Sequence, residues 1–197
     1  IGRLLSKYNA LNSINNKKSV YSSSLIILLL VMITLIFLSL FLSLFISDLL
    51  NIDEEFKKIT TIVFLIMSFN VAIAFPLRIG RGMLRSVHRF DRVDFLITLF
   101  KILQIIFISY FYLNNNITLF KVAILIGSTN FFAELIIFIN GSKYYREVNF
   151  DFCSINKKIL REIFSISSAS ILLTISAFLL NQGFIILTSL LLGVLYV

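Results

Sequence analysis

The feature that most constrains this chain is a run of about two dozen residues without a single charge, from Ser24 to Ser47. A helix needs roughly 20 apolar residues to cross the hydrocarbon core of a bilayer, which is about 30 Å thick. Lipid offers no water to satisfy a lone strand, so a helix is the expected conformation. The run therefore predicts that the chain crosses a membrane.

Further runs along the chain share this apolar character and lack the alternation of a strand. With the first run they predict five transmembrane helices: 24–47, 60–80, 93–113, 117–140 and 163–190. Hydrophobic residues form 58% of the 197-residue chain, which predicts an all-α, polytopic membrane protein. We expect 1–140 to be part of an N-terminal transmembrane bundle that begins with a cytoplasmic strip at 1–23. We expect 141–162 to be a cytoplasmic linker and 163–197 to hold the first helix of a second bundle.

The basic residues orient these spans. Three basic strips alternate with connections that carry few cations, and the positive-inside rule makes such strips cytoplasmic. The strips hold Arg3, Lys7, Lys17 and Lys18; then Arg78, Arg81, Arg85, Arg89 and Arg92; then Lys143, Arg146, Lys157, Lys158 and Arg161. The chain is therefore predicted to lie in the cytoplasmic (inner) membrane as a multi-pass protein, with most of its basic loops cytoplasmic.

Composition excludes several classes of function. The net charge of +8 does not indicate nucleic-acid binding, because the cations lie beside hydrophobic spans, where topology explains them. One Cys and one His exclude a disulfide framework and the usual zinc sites. The chain contains no phosphate-binding glycine loop, no paired His ligands and no nucleophile elbow. We therefore expect no catalytic residue, metal or cofactor, and a protein that is not an enzyme.

Two charged residues, Lys101 and Glu134, fall deep inside predicted spans, where a charge costs about 2.5–3.5 kcal/mol at the helix centre. Lys101 and Glu134 each lie about 12 Å from the cytoplasmic end of their helix, at a rise of 1.5 Å per residue. Polar residues recur at helical spacing around them. On the third span these are Asp94, Thr98, Lys101 and Gln104, and on the fourth they are Gly127, Asn130 and Glu134.

These polar faces favour a hydrophilic substrate cavity lined by Lys101, Gln104, Asn130 and Glu134. Two structural alternatives remain open. Lys101 and Glu134 have similar depth and would form an ion pair across the hairpin, or Lys101 extends toward the headgroups and leaves no cavity.

The second basic strip has a pattern of its own. Arg78, Arg81 and Arg85 are spaced by three and four residues, so they are predicted to share a helical face that Arg89 and Arg92 continue. Arginine binds phosphate in bidentate geometry, which suggests capture of a diphosphate headgroup. Positive-inside topology together with contact to anionic membrane lipid explains the same pattern.

Three stretches resemble Wzx-type polysaccharide flippases of the multidrug/oligosaccharidyl-lipid/polysaccharide exporter superfamily. The first is F-P-L-R-I-G-R-G-M-L-R-S-V-H-R-F at 75–90, which is similar to the proline, G-x-L-R and R-F pattern between two of their helices. The second is L-R-E-I-F-S-I-S at 160–167, which resembles the entrance to their seventh helix. The third, at 181–197, resembles the end of that helix and the following turn.

The resemblance implies a partial MATE-like bundle that spans about helices three to seven. The chain opens at Ile1 rather than Met and stops at Val197 while still apolar, so we also expect a fragment. The implied function is movement of a glycan linked to polyprenyl diphosphate across the membrane by alternating access, in O-antigen, capsule or exopolysaccharide biosynthesis. The alternatives are a cation-coupled multidrug or small-molecule exporter of the same fold, and a membrane-embedded glycosyltransferase or polymerase.

Overall fold

The structure is a computed structural model that describes residues 1–11, 13–49, 54–114 and 118–165. Within these ranges every regular element is helical, so the all-α class predicted from the sequence is confirmed for them. The chain divides into two compact units, Ile1–Ile155 and Asn156–Val197. In the second unit the described part is 156–165, which is helical from 157 onward.

In its described residues, the first unit contains seven α-helices and two short 3-10 turns. The α-helices are α1 Gly2–Ala10, α2 Ile14–Ser43, α3 Ile46–Leu49, α4 Glu54–Leu77, α5 Ile79–Ser86, α6 Phe90–Leu113 and α7 Leu119–Ser142. The 3-10 turns are Lys143–Tyr145 and Phe152–Ser154.

Four helical stretches in the described part of the chain are long and apolar enough to cross a membrane. They are Ile14–Ser43, Glu54–Ser86, Phe90–Leu113 and Leu119–Tyr145, with mean hydropathies between 1.9 and 3.3. They correspond to the first four predicted spans and make the chain a multi-pass membrane protein by length and composition. The fifth predicted span, 163–190, lies outside the described residues except for 163–165, which are helical.

The predicted cytoplasmic strip 1–23 is largely helical. The short helix α1 buries Leu4 and Leu5. Helix α2 begins at Ile14, ten residues before the uncharged run, and Lys17 lies in its first turns. Hydropathy located the part of α2 that suits lipid and missed its polar beginning, because Lys is a good helix former.

Helix α4 ends at Leu77, one residue after Pro76. Proline has no N–H to donate to the carbonyl four residues earlier, so the regular ladder stops there. The amide of Arg78 instead bonds to the carbonyl of Phe75 at 3.1 Å, and α5 begins at Ile79. The proline therefore ends α4 and sets α5 apart from it.

Helix α5 ends at Ser86, and this ending corrects one prediction. His88 has a φ of 59°, in the left-handed region. The amide of Arg89 bonds to the carbonyl of Leu84 at 2.9 Å and that of His88 to Arg85 at 3.1 Å, which together form a Schellman cap. Arg89 therefore caps the next helix, α6, and does not continue the face of α5, because the chain turns at His88.

The membrane-length helices pack side by side in the spatial order α2, α4, α7, α6, which differs from their order in the chain. Helix α5 packs against α7 and α1. Glycine permits the tightest approach: a Cβ on Gly80 would lie 2.4 Å from the Cα of Phe138, and one on Gly141 would lie 2.9 Å from the carbonyl oxygen of Gly80. The backbones of α5 and α7 are therefore in direct contact.

The first part of the predicted linker 141–162 packs on α2. Helix α7 runs to Ser142, and the segment after it folds back. The hydroxyl of Ser22 accepts the amide of Asp151 at 3.0 Å, and the hydroxyl of Ser19 donates to the carbonyl of Ser154. The structure therefore assigns residues up to Ile155 to the first unit.

Candidate functional site: a basic cavity on helix α7

A cavity of about 190 Å³ lies where α4, α5 and α6 meet α7. Its walls are mostly apolar, as expected within a transmembrane bundle. Six polar side chains interrupt them: Asn70, Arg78, Arg81, Lys101, Asn130 and Glu134. The cavity therefore combines charged groups with an apolar frame, which is the general character of a ligand site.

Glu134 is the buried centre of this group. The residue is 3% exposed, and both of its carboxylate oxygens have arginine partners. The Nε of Arg81 donates to Oε2 at 2.9 Å, and an Nη of Arg81 donates to Oε1. The Nε of Arg78 lies 3.6 Å from the same Oε1. The carboxylate is thus held in bidentate geometry by one guanidinium and flanked by a second.

The contact between α5 and α7 explains why Arg81 reaches Glu134. Gly80 sits against the backbone of α7 at Phe138, so the next residue of α5 is held beside α7. Arg78 occupies the turn between α4 and α5, where its guanidinium also stacks 4.4 Å from the ring centre of Phe75. The proline break and the glycine contact together aim two arginines at one carboxylate.

Lys101 faces the cavity from α6 and has a different partner. Its ammonium donates to the side-chain oxygen of Gln104 at 3.2 Å, one turn further along the same helix. Lys101 and Asn130 are both exposed at the protein surface. The cavity is therefore buried around Glu134 and open near Lys101.

This geometry corrects the pairing of Lys101 with Glu134. The two residues line one cavity, as their equal depth predicted, but the carboxylate is paired with Arg81 and Arg78. The expectation compared only the two helices of the hairpin. A third helix, α5, supplies the bidentate partner Arg81, and Arg78 before that helix supplies the second cation.

Most of the predicted substrate and headgroup residues line the cavity, but not all of them do. Lys101, Asn130 and Glu134 line the cavity, and Gln104 adjoins it through its bond to Lys101. Of the predicted headgroup residues, Arg78 and Arg81 line the same cavity, while Arg85 is exposed in the last turn of α5 and lies outside its lining. The structure thus places most of the predicted substrate residues and most of the predicted headgroup residues around one cavity, although the sequence analysis treated them as two sites.

Asn70 is a cavity residue that the sequence argument did not select. Its side chain lies against α7, where a Cβ on Gly127 would lie 2.4 Å from its Nδ2. The same Nδ2 donates to the carbonyl of Ile66 at 2.8 Å. An isolated asparagine within an apolar span could have indicated this cavity residue. Gly127 on α7 leaves room for its side chain.

The charges of the cavity favour an anionic ligand. Three cations line it, against one carboxylate, and that carboxylate is already shared by two of them. Positive charge is therefore in excess in this cavity, because Glu134 neutralises only part of it. Arg78 and Lys101 are both exposed.

No protein-family model, no curated protein and no solved structure matches this chain.

Proposed function

We propose that this protein is a flippase that moves a lipid-linked oligosaccharide, carried on a polyprenyl diphosphate, across the cytoplasmic membrane. The observation that carries the proposal is the basic cavity at membrane depth, in which Arg78, Arg81 and Lys101 outnumber the one carboxylate. A polar headgroup crosses hydrocarbon only if protein groups replace its hydration. An excess of positive charge suits the diphosphate, and the polar Asn70 and Asn130 suit sugar hydroxyls.

The proposed mechanism is alternating access between this helical bundle and a second bundle of similar size. Transporters built from paired repeats bind their substrate between the halves, near the bilayer midplane. In this proposal the cavity on α7 is the first half of such a site. The basic strips would then face the cytoplasm, where the lipid-linked substrate is made.

The cavity argues against export of amphipathic cations by the same fold. A cation site needs an accessible carboxylate, whereas Glu134 is buried and bound by two arginines. A third possibility, a membrane-embedded transferase or polymerase, needs a catalytic acid or histidine outside the lipid, and none of the cavity residues provides one.

The function is tested with the full-length protein in vesicles that contain a fluorescent undecaprenyl diphosphate-linked sugar. We expect the protein to accelerate transfer of the label between leaflets over protein-free vesicles. Lys101→Gln should slow transfer about tenfold, the effect of losing roughly 1.4 kcal/mol of interaction with the phosphate. Lys101 suits this test because its removal leaves no buried carboxylate unpaired.

Arg85→Gln is the matched control, since it also removes one cation but lies outside the cavity lining. Its transfer rate should stay within about twofold of the parent protein. No acceleration by the parent with any undecaprenyl-linked sugar would defeat the proposed function. An equal loss in both variants would show that net charge, and not the cavity, sets the rate.

A further inference from the structure

A second polar pocket lies at the end of the bundle, apart from the cavity on α7. Its volume is about 240 Å³. It is formed by the end of α1, the first turn of α2 and the segment that follows α7. Three cations line it, Lys17, Lys143 and Arg146, beside a single acidic residue, Glu147.

These cations come from distant parts of the sequence and are brought together by folding. Lys17 belongs to the first turns of α2, while Lys143 and Arg146 follow the end of α7. Among the residues that the structure describes, none of the three side chains has a hydrogen-bond or ion-pair partner. Three like charges around one pocket repel one another, and an anion bound there would reduce that repulsion.

The pocket is held open by a hydrogen-bonded frame. The side-chain amide of Asn9 donates to the hydroxyl of Tyr145 at 2.6 Å. The Tyr145 hydroxyl in turn bonds to the hydroxyl of Ser86, which donates to the carbonyl of Met83 at 2.6 Å. Tyr145 is 5% exposed, so its ring is fixed. These hydrogen bonds join the neutral side chains of Asn9, Tyr145 and Ser86 and do not involve the three cations.

The position along α2 predicts that this pocket lies at the level of the lipid headgroups. Lys17 lies seven residues before Ser24, where the uncharged run begins, which is roughly 10 Å at the rise of an α-helix. Lys143 lies one residue beyond the end of α7. Tyr144 and Tyr145, which also line the pocket, are of the residue type that concentrates at membrane interfaces.

We propose that this pocket, defined by Lys17, Lys143 and Arg146, binds a phosphate group at the membrane surface. Arg146 supplies a planar fork that matches two phosphate oxygens, and the two lysines supply mobile point charges. Basic pockets between transmembrane helices on one side of a membrane bind anionic headgroups in this way. The phosphate belongs either to an anionic phospholipid or to a soluble phosphate compound, and the site is independent of the transport cavity.

The test uses the full-length protein and native mass spectrometry after titration with phosphatidylglycerol or phosphatidylcholine. We expect one tightly bound phosphatidylglycerol and no comparable phosphatidylcholine. The variant Lys17→Gln/Lys143→Gln/Arg146→Gln should bind phosphatidylglycerol at least tenfold more weakly. The matched control, Lys157→Gln/Lys158→Gln/Arg161→Gln, removes the same charge from exposed positions outside the pocket and should bind as the parent does.

A second arm distinguishes the source of the phosphate. Thermal unfolding is measured in phosphatidylcholine nanodiscs with inorganic phosphate or glycerol 3-phosphate added. A rise in Tm that the pocket variant loses and the control keeps assigns the site to a soluble compound. If neither arm shows an effect that depends on the pocket, or if both triple variants lose equally, the proposal is overturned. Lys143→Gln, at an exposed position, gives a severalfold loss even if the triple variant folds poorly.

Discussion

Glu134 shows how one side chain can organise a polar site inside an apolar bundle. An unpaired buried carboxylate costs several kcal/mol, so its burial depends on the guanidinium groups of Arg81 and Arg78. Their side chains are 33% and 42% exposed, which lets water carry part of their charge. The group is therefore stable as a unit, while its positive side stays accessible from the cavity.

A double-mutant cycle of Arg81→Gln with Glu134→Gln should give a coupling energy of about 1–3 kcal/mol, as expected for side chains in direct contact. The reason is that either single change leaves the other charge without its main partner. The measurement is the free energy of unfolding of the full-length protein in mixed micelles.

The matched cycle uses Lys101→Gln with Glu134→Gln, because Lys101 lines the same cavity without bonding to Glu134. Its coupling should stay within about 0.5 kcal/mol, the level of independent sites. A larger coupling for Lys101 than for Arg81 would contradict the observed pairing.

The residues of α7 were predictable because that helix is regular. Gly127, Asn130 and Glu134 recur at helical spacing, and all three line the cavity. The partner of Glu134 was not predictable in the same way, since residue depth along a helix says nothing about which neighbour is nearest. That choice depended on Gly80, whose missing side chain brings α5 onto α7.

At the scale of helices, the contact between α5 and α7 positions the cavity. Met83 and Leu84 of α5 and Ile137 of α7 are fully buried or nearly so, at 1%, 0% and 0% exposure. Small residues allow helices in lipid to approach closely, and dispersion contacts then hold them. The buried apolar side chains and the backbone contact at Gly80 act together on the same interface.

Gly80→Ala should lower the free energy of unfolding by about 1–3 kcal/mol, the cost of overpacking a tight site. The added Cβ would lie 2.4 Å from the Cα and 2.7 Å from the N of Phe138, and backbone cannot move aside as a side chain can. Chemical denaturation in micelles measures the loss. The same change should also reduce the Arg81–Glu134 coupling, because it pushes α5 away from α7.

Gly2→Ala is the control for this substitution. Its Cβ would lie 3.3 Å from the carbonyl oxygen of Gly82, a contact that a small shift relieves. Gly2 and Gly80 both lie in the first turn of a helix, so the change in helix propensity is similar at the two sites. We expect Gly2→Ala to leave stability unchanged or raised. Equal destabilisation by both changes would show that the α5–α7 contact has no special role.

Helix boundaries were predictable where a polar segment interrupts the apolar pattern. The end of α6 at Leu113 and the start of α7 at Leu119 agree with the break expected at 114–116. The start of α2 and the end of α5 did not follow hydropathy. The first depends on a polar helical turn beyond the lipid, and the second on a left-handed His88, which no periodic pattern encodes.

At the scale of the whole first unit, the parts of the three basic strips that belong to it meet at one end of the bundle. Asn9 belongs to the first strip, Ser86 to the second and Tyr145 to the third, and the hydrogen bonds through Tyr145 join all three. The sequence predicted that these strips share a side of the membrane from their charge. Within the first unit, packing brings parts of all three strips to one end of the bundle, in agreement with that prediction. That this side is cytoplasmic remains a prediction of the positive-inside rule.

Cysteine labelling can test the arrangement, because the chain has one cysteine and it is exposed. Cys153 lies beyond α7, on the side of the basic strips, whereas Asn114 ends α6 at the opposite end of the hairpin. In intact cells a membrane-impermeant maleimide should leave Cys153 unmodified until the cells are permeabilised. In a Cys153→Ser background, Asn114→Cys should react without permeabilisation.

The two positions differ by one crossing, α7, so the four-helix arrangement requires that they react from opposite sides. Labelling of both from the same side would show that α7 does not span the membrane. Alternatively, Cys153 could react from outside while the cysteine introduced by Asn114→Cys reacts only after permeabilisation. That result would support the helical bundle but show that its orientation is the reverse of the predicted one. In that case the phosphate pocket would face outward, away from a substrate made in the cytoplasm. The transport proposal therefore depends on this orientation, while the packing of the helices does not.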